Sequence, residues 1–210
     1  MKMNTSKSAG DLSGLKKEGD EYTMRYLVRP LSRLPSRLLI QYTSITPNQV
    51  SVFSFFLAAV SAAFFIRGGF MNQVLGVIFA SLYVIFDCVD GNIARVKQLK
   101  SVKGHWLDGA GGFIITPLLL FSLLYGEGNP SLFVIGSLAM LAYPLQYLLV
   151  YFYKFEITKH NPTPIASGTM VDKVRYLYGS ALFFPLLAIA VLSDQIEIFL
   201  WLYALFGNLF

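Results

Sequence analysis

The residues best able to do chemistry lie between positions 87 and 112. There D-C-V-D-G-N-I-A-R is followed, eight residues later, by G-H-W-L-D-G-A-G-G. Asp87 and Asp90 stand one helical turn apart at the end of an apolar run, and Gly104, Asp108 and Gly112 form an i, i+4, i+8 row on a second apolar stretch. On a helix, Asp87, Asp90, Gly91 and Ala94 share one face. That face is acidic and carries little other side-chain bulk. Carboxylates bordering membrane segments are expensive to desolvate, and their cheapest partner is a hard cation. Asp87, Asp90 and Asp108 offer oxygens suited to Mg²⁺, Mn²⁺ or Ca²⁺, whereas the stretch has no Cys/His set suited to zinc. The small neighbours would let a flat ring approach the helix backbone. The pattern therefore points to a metal-bridged phosphate ligand.

At these residues the chain resembles the CDP-alcohol phosphotransferases (CDP-alcohol phosphatidyltransferases), whose signature is D-x2-D-G-x2-A-R-x8-G-x3-D-x3-D. Asp87, Asp90, Gly91, Ala94, Arg95, Gly104 and Asp108 fill seven of its eight positions in register. The eighth, an Asp in the family, is Gly112 here. The resemblance implies that an acceptor hydroxyl attacks the β-phosphorus of a CDP-linked alcohol and CMP leaves. It implies metal coordination by Asp87, Asp90 and Asp108, with Mg²⁺ or Mn²⁺ as cofactor. Gly91 and Ala94 would make room for cytidine, Arg95 would present a charged fork to phosphate or to a motif carboxylate, and Gly104 would allow close helix approach.

The family's last Asp is regarded as the general base, a role that Gly112 has no side chain to fill. The proton would pass to Asp108, to the substrate phosphate or to water. Gly109, Gly111 and Gly112 also read as a small-residue packing strip between membrane helices.

The elements that must position these residues are helical. Residues 1–21 are polar and aperiodic and read as a mobile tail without a cleavable signal. Residues 22–44 interleave Arg25, Arg29, Arg33 and Arg37 with leucines. The spacing of four puts the arginines along one face, and Pro30 and Pro35 break the straight run. This segment reads as amphipathic and interfacial, lying on an anionic leaflet.

Thr46-Pro47-Asn48-Gln49 is a helix start with Thr46 as N-cap and Gln49 three residues on. In the resemblance, a T-P-N segment lies near the nucleotide, so Asn48 joins the nucleotide-binding candidates. Spans are expected at about residues 50–66, from 70 to the motif, 105–125, 131–152 with a kink at Pro144, 173–192 and 196–210. Lys97, Lys100 and Lys103 read as solvated and headgroup-facing, and 154–172 as a polar loop. Lys173 and Arg175 are the acceptor-binding candidates, because basic residues of the later spans line the acceptor pocket in the resemblance.

Composition agrees with this layout. Of 210 residues, 55% are hydrophobic and only 14% charged, too apolar for an ordinary soluble domain. The single Cys88 excludes an intrachain disulfide and reads as a small apolar residue. With six spans, 16 of the 17 Lys and Arg fall on one side and only Arg67 on the other. The positive-inside rule then puts the N-terminus and the motif in the cytoplasm of a multi-pass cell-membrane protein.

The expectation is an all-α integral membrane enzyme. Six transmembrane helices (residues 45–210) follow an amphipathic segment, and the protein is homodimeric as the family is. It would transfer a substituted phosphate to an acceptor such as a polyol or sugar phosphate in phospholipid or related synthesis. Nucleic acid is excluded as a partner, because the basic run adjoins a membrane span. Two rival readings are a degenerate member that binds CDP-alcohol with little turnover, and a cation-binding membrane transporter or scaffold.

Overall fold

The computed structural model describes residues 23–99, 101–160 and 180–208, and the expected tail at 1–21 lies outside them. The described residues are helical throughout, joined by short turns. A π-helical turn, Met24–Val28, leads into α1 (Arg29–Tyr42). Then follow α2 (Pro47–Arg67), α3 (Phe70–Val96), α4 (Val102–Glu127), α5 (Pro130–His160), α6 (Ser180–Leu192) and α7 (Ile196–Asn208).

The helix boundaries have local causes. At the start of α2, Thr46 accepts from the Gln49 backbone N–H, and the Gln49 side chain accepts from the Thr46 N–H at 2.9 Å. This is the expected capping box, with Pro47 at the first helical position. Between α2 and α3, Gly68 and Gly69 take φ of 64° and 79°, a region that glycine enters without a Cβ penalty. Gly68 is needed twice over, because a Cβ there would sit 2.3 Å from the Gly126 carbonyl oxygen of α4. The α2–α3 turn thus closes directly onto the far end of α4.

Helix α3 runs unbroken through the whole first half of the motif, as expected. Ser101 caps α4 by accepting from the Gly104 N–H at 3.0 Å. Gly128 ends α4 in the left-handed region with φ 63°.

Three helices are long and apolar enough to cross a membrane: Pro47–Arg67, Phe70–Val96 and Gly109–Glu127. Pro130–Ala142, Leu182–Leu192 and Ile196–Leu205 are shorter apolar helices. Only 39%, 44% and 44% of the apolar windows of the three long helices are buried within the protein, so most of their apolar surface faces outward. An apolar helix with an apolar outer face suits a lipid surround. Residues 154–160, expected as part of a polar loop at 154–172, are helical instead, because α5 continues to His160. Residues 161–172 lie outside those described.

Helix α2 is the common neighbour of α3 and α4, α5 packs on α4 and α7, and α6 packs on α3. The core runs continuously from Leu57 and Phe65 through Leu119, Leu123 and Leu124 to Phe183, Leu187, Leu200 and Tyr203. Phe183 meets Phe184 and Tyr203 edge to face, with centroids 5.2 and 5.3 Å apart. Because α2, α3 and α4 alternate in direction, the start of α2, the end of α3 and the start of α4 come to the same end of the bundle. That end carries the motif.

Candidate active site

Asp90 is 8% exposed, an unusual depth for a carboxylate at a helix end. Its Oδ2 accepts from the Ser51 hydroxyl of α2 at 2.5 Å. A carboxylate that takes a hydroxyl proton donor over so short a contact holds a fixed orientation. Ser51 Oγ also lies 3.2 Å from the Pro47 carbonyl, an alternative acceptor for its single proton, so its position is tied to the capped first turn of α2. Asp87, one turn earlier on α3, is partly buried. The Asp108 side chain lies outside the described residues, although its backbone is on α4. Among the described residues, no group of three His, Cys, Asp or Glu side chains gathers as a metal cage.

Asn48 is exposed at the start of α2, and a Cβ placed on Gly104 would lie 3.8 Å from Asn48 Oδ1. The nucleotide-binding candidates of α2 and α4 therefore meet. At Gly91, a Cβ would lie 3.3 Å from Arg95 Nη1, so the Arg95 guanidinium lies across the bare backbone that the motif glycine leaves. Ala94 is partly buried on the same helix. Gly111 fits the packing-strip reading, since a Cβ there would meet the Phe55 ring at 2.7 Å. A Cβ on Gly109 would meet nothing within 4 Å, and Gly112 is partly buried. Lys173 and Arg175 lie outside the described residues.

Two expectations change. Arg25, Arg33 and Arg37 are exposed, but Arg29 is turned inward at 9% exposure, and its Nη1 donates to Asn92 Oδ1 of α3 at 3.2 Å. Each step of four residues rotates about 40° around a helix, so four arginines at that spacing spread over about a third of a turn. That spread is wide enough for one to face inward. Lys97 also departs from the solvated reading: its Nζ donates to the Ile45 carbonyl at 2.9 Å and the Thr43 carbonyl at 3.3 Å. It holds the α1–α2 connection against the end of α3.

Sequence reasoning missed Ser51, Asn92, Ser32 and Ser36. Ser51 follows Asn48 by three residues, so helical spacing from a candidate was the available signal. Asn92 falls on a variable position of the signature. Ser32 and Ser36 are wholly buried on α1, where a face four residues in period carried only small polar groups. Cys88 is buried as expected, with its thiol donating to Met24 Sδ at 3.2 Å.

A helical bundle with apolar outer faces, gathering carboxylate, hydroxyl, amide and guanidinium groups at one end, defines a membrane protein with a polar site at the bundle end. Residues 44–207 match the model of the CDP-alcohol phosphatidyltransferase family, and the chain belongs to that family. Its members use a CDP-alcohol donor and an alcohol acceptor.

The chain is 30% identical over 130 residues to the bifunctional IPC transferase and DIPP synthase of Thermococcus kodakarensis, covering 61% of this chain and 29% of that protein. The protein of the same name from Aquifex aeolicus is 31% identical over 96 residues, 46% of this chain and 21% of its own. Ceramide phosphoethanolamine synthase of Drosophila melanogaster is 28% identical over 120 residues, 52% of this chain and 31% of its own. The match therefore spans under a third of each relative's length.

Proposed function

We infer that the protein transfers a substituted phosphate from a CDP-linked alcohol to an acceptor hydroxyl. The acceptor oxygen forms a bond to the β-phosphorus, the bridging P–O bond to CMP breaks, and CMP departs. The observation that carries this reading is the convergence of Asp90, Ser51, Gly91, Arg95, Asn48 and Gly104 at one bundle end, within a chain of the family. The relatives support it in kind, since their names describe transferases and synthases.

The donor set also fits a divalent cation. A buried, oriented carboxylate at Asp90 that carries the Ser51 hydroxyl, with Asp87 one turn away, supplies hard oxygen donors of the kind that suit Mg²⁺ or Mn²⁺. Asp87, Asp90 and Asp108 would hold the ion, which supplies charge neutralisation on the pyrophosphate. Arg95 offers the phosphate a planar cationic fork. Gly91, Ala94 and Gly104 would keep side-chain bulk low beside the flat cytidine, with the Arg95 guanidinium over Gly91, and Asn48 would offer it an amide at the start of α2. Lys173 and Arg175 would attract an anionic acceptor such as a polyol or sugar phosphate, or a lipid. The acceptor proton goes to Asp108, to phosphate or to water.

The charge distribution supports a site on the cytoplasmic face. The outer face of α1, with Arg25, Arg33 and Arg37 among exposed Leu27, Leu31, Leu34 and Leu38, supports an interfacial placement. As in the family resemblance, the working unit is a homodimer.

The test is incubation of purified protein with a series of CDP-alcohols, an acceptor and Mg²⁺, with CMP followed by chromatography. CMP release that depends on both acceptor and metal is expected. Binding of CDP-alcohol without CMP from any donor would favour the second reading, which Gly112 motivates: a member that binds but turns over little. Metal binding with no dependence on cytidine would refute both.

A further inference from the structure

Asn92 occupies a signature position at which the family pattern specifies no residue, yet it is 1% exposed and its amide is used at both ends. Its Oδ1 accepts from Arg95 Nη2 at 2.5 Å and from Arg29 Nη1 at 3.2 Å. Its Nδ2 donates to Ser36 Oγ at 2.9 Å and to Ser32 Oγ at 3.3 Å. Both hydroxyls can accept because each spends its own proton on α1 backbone: Ser32 on the Arg29 carbonyl at 3.0 Å, Ser36 on the Ser32 carbonyl at 2.6 Å. The direction of every bond is thereby set. An amide with two acceptor sites and two donors is the side chain that satisfies two guanidiniums on one end and two acceptor hydroxyls on the other.

Two consequences follow for Arg95. Its guanidinium is bonded three residues back along α3, which holds it folded over Gly91 instead of extended into water. Arg29 and Arg95, from different helices, are also brought to the same oxygen. Two like charges at such range favour an anion nearby.

We propose that Asn92 is a positioning residue that makes α1 part of the active site, clamping Arg95, with Arg29 beside it, in the orientation that receives the donor's phosphate. This rests on the proposed transfer reaction, in which Arg95 meets the pyrophosphate. A helix on the bundle's outside thus sets the pose of a cation inside it, through one buried amide.

The test is a double-mutant cycle on binding of CDP with Mg²⁺ to the full chain in detergent micelles, using wild type, Asn92→Leu, Arg95→Ala and the double variant. Leucine keeps the branched shape of asparagine, with somewhat more bulk, and removes all four bonds. Asn92→Leu is expected to weaken CDP binding about tenfold, the scale of one hydrogen bond to a charged group. In the Arg95→Ala background the same change is expected to cost less than about twofold, because the group it positions is gone.

Equal losses in both backgrounds would overturn the proposal, since a purely architectural role acts whether or not Arg95 is present. If Asn92→Leu does not fold, Ser36→Ala serves in its place. It removes the closer acceptor of the amide while leaving Arg95 intact, and a loss of about threefold that vanishes in Arg95→Ala is expected. Independence from Arg95 there would equally overturn it. Absence of CDP binding in the wild type would be a different result, refuting the transfer reaction and the positioning role together.

Discussion

Replacing Ser51 by alanine probes the site at a residue that the signature does not contain. The hydroxyl donates to Asp90 Oδ2 at 2.5 Å, and Asp90 is only 8% exposed, so little water can replace the lost donor. A hydrogen bond to a charged, buried acceptor contributes about 1.5–3 kcal/mol. If the bond persists when the ion is held, Ser51 fixes the carboxylate rotamer that faces the ion, and its loss appears in metal affinity. Partners of this kind typically cost about 10- to 100-fold when removed.

The expected outcome for Ser51→Ala is thus a rise of about 10- to 100-fold in the Mg²⁺ concentration giving half-maximal CMP release. The fold should be retained, because the Thr46–Gln49 capping box does not involve Ser51. The assay is a Mg²⁺ titration at saturating CDP-alcohol, with thermal unfolding in micelles as the control. A half-saturating concentration unchanged or lowered would refute the reasoning. The lowered value would mean that hydroxyl and cation compete for the same oxygen.

Other outcomes follow from the same geometry. Asp90→Asn is expected to abolish metal-dependent CDP binding, and unchanged binding by calorimetry would count heavily against the site. Chelation with EDTA is expected to stop CMP release, with recovery on adding Mg²⁺ or Mn²⁺; full activity in the chelator would remove the metal from the mechanism. Gly112→Asp restores the family's eighth signature residue, and a turnover gain of up to about 10² to 10⁴-fold is the range general-base catalysis supplies. No gain in kcat, with the variant folded, would show that the proton leaves by another route. Gly68→Ala forces a Cβ against the Gly126 carbonyl at 2.3 Å in a positive-φ residue, and a lowered Tm in micelles is expected. An unchanged Tm would mean the α2–α4 closure yields easily.

The long-period features of this chain were legible because each was written several times over. The α2 start carries Thr46, Pro47 and Gln49 together, and the α3 motif runs in fixed register along an apolar helix, so helix and motif positions agree in the sequence itself. What escaped was polar and internal. Ser32 and Ser36 look like solvent-facing residues of a basic segment, but their protons go to α1 carbonyls and their oxygens accept from Asn92 across the interface, which satisfies them in burial. Lys97 has the sequence context of a headgroup-facing lysine, but the open carbonyls of Thr43 and Ile45 reach it through tertiary contact. Amphipathicity says which residues are apolar. It does not say which polar residues have found each other, because that depends on a partner helix about 60 residues away in the chain, as with Ser32 and Asn92.

That distinction bears on why the site is at this end of the bundle. In lipid, a buried polar group must find its partner within the protein. The apolar middle of α2, α3 and α4 offers few, whereas at the motif end three helix termini meet and side chains from α1 arrive from outside. The starts of α2 and α4 carry the positive ends of their helix dipoles, which offset the carboxylates of α3. Arg95 and Arg29, gathered on one amide oxygen, do the same from the other side. A carboxylate as buried as Asp90 is tolerable only inside such a balanced set, and removing one member leaves the rest with excess charge. The residues outside the signature, Ser51 and Asn92, are thus where that balance is most exposed to test: each is neutral, each touches a charged motif residue, and neither can contribute charge itself. An effect of either on CDP or Mg²⁺ affinity acts without any change in the formal charge of the site, through the hydrogen bond that each makes to a charged motif residue.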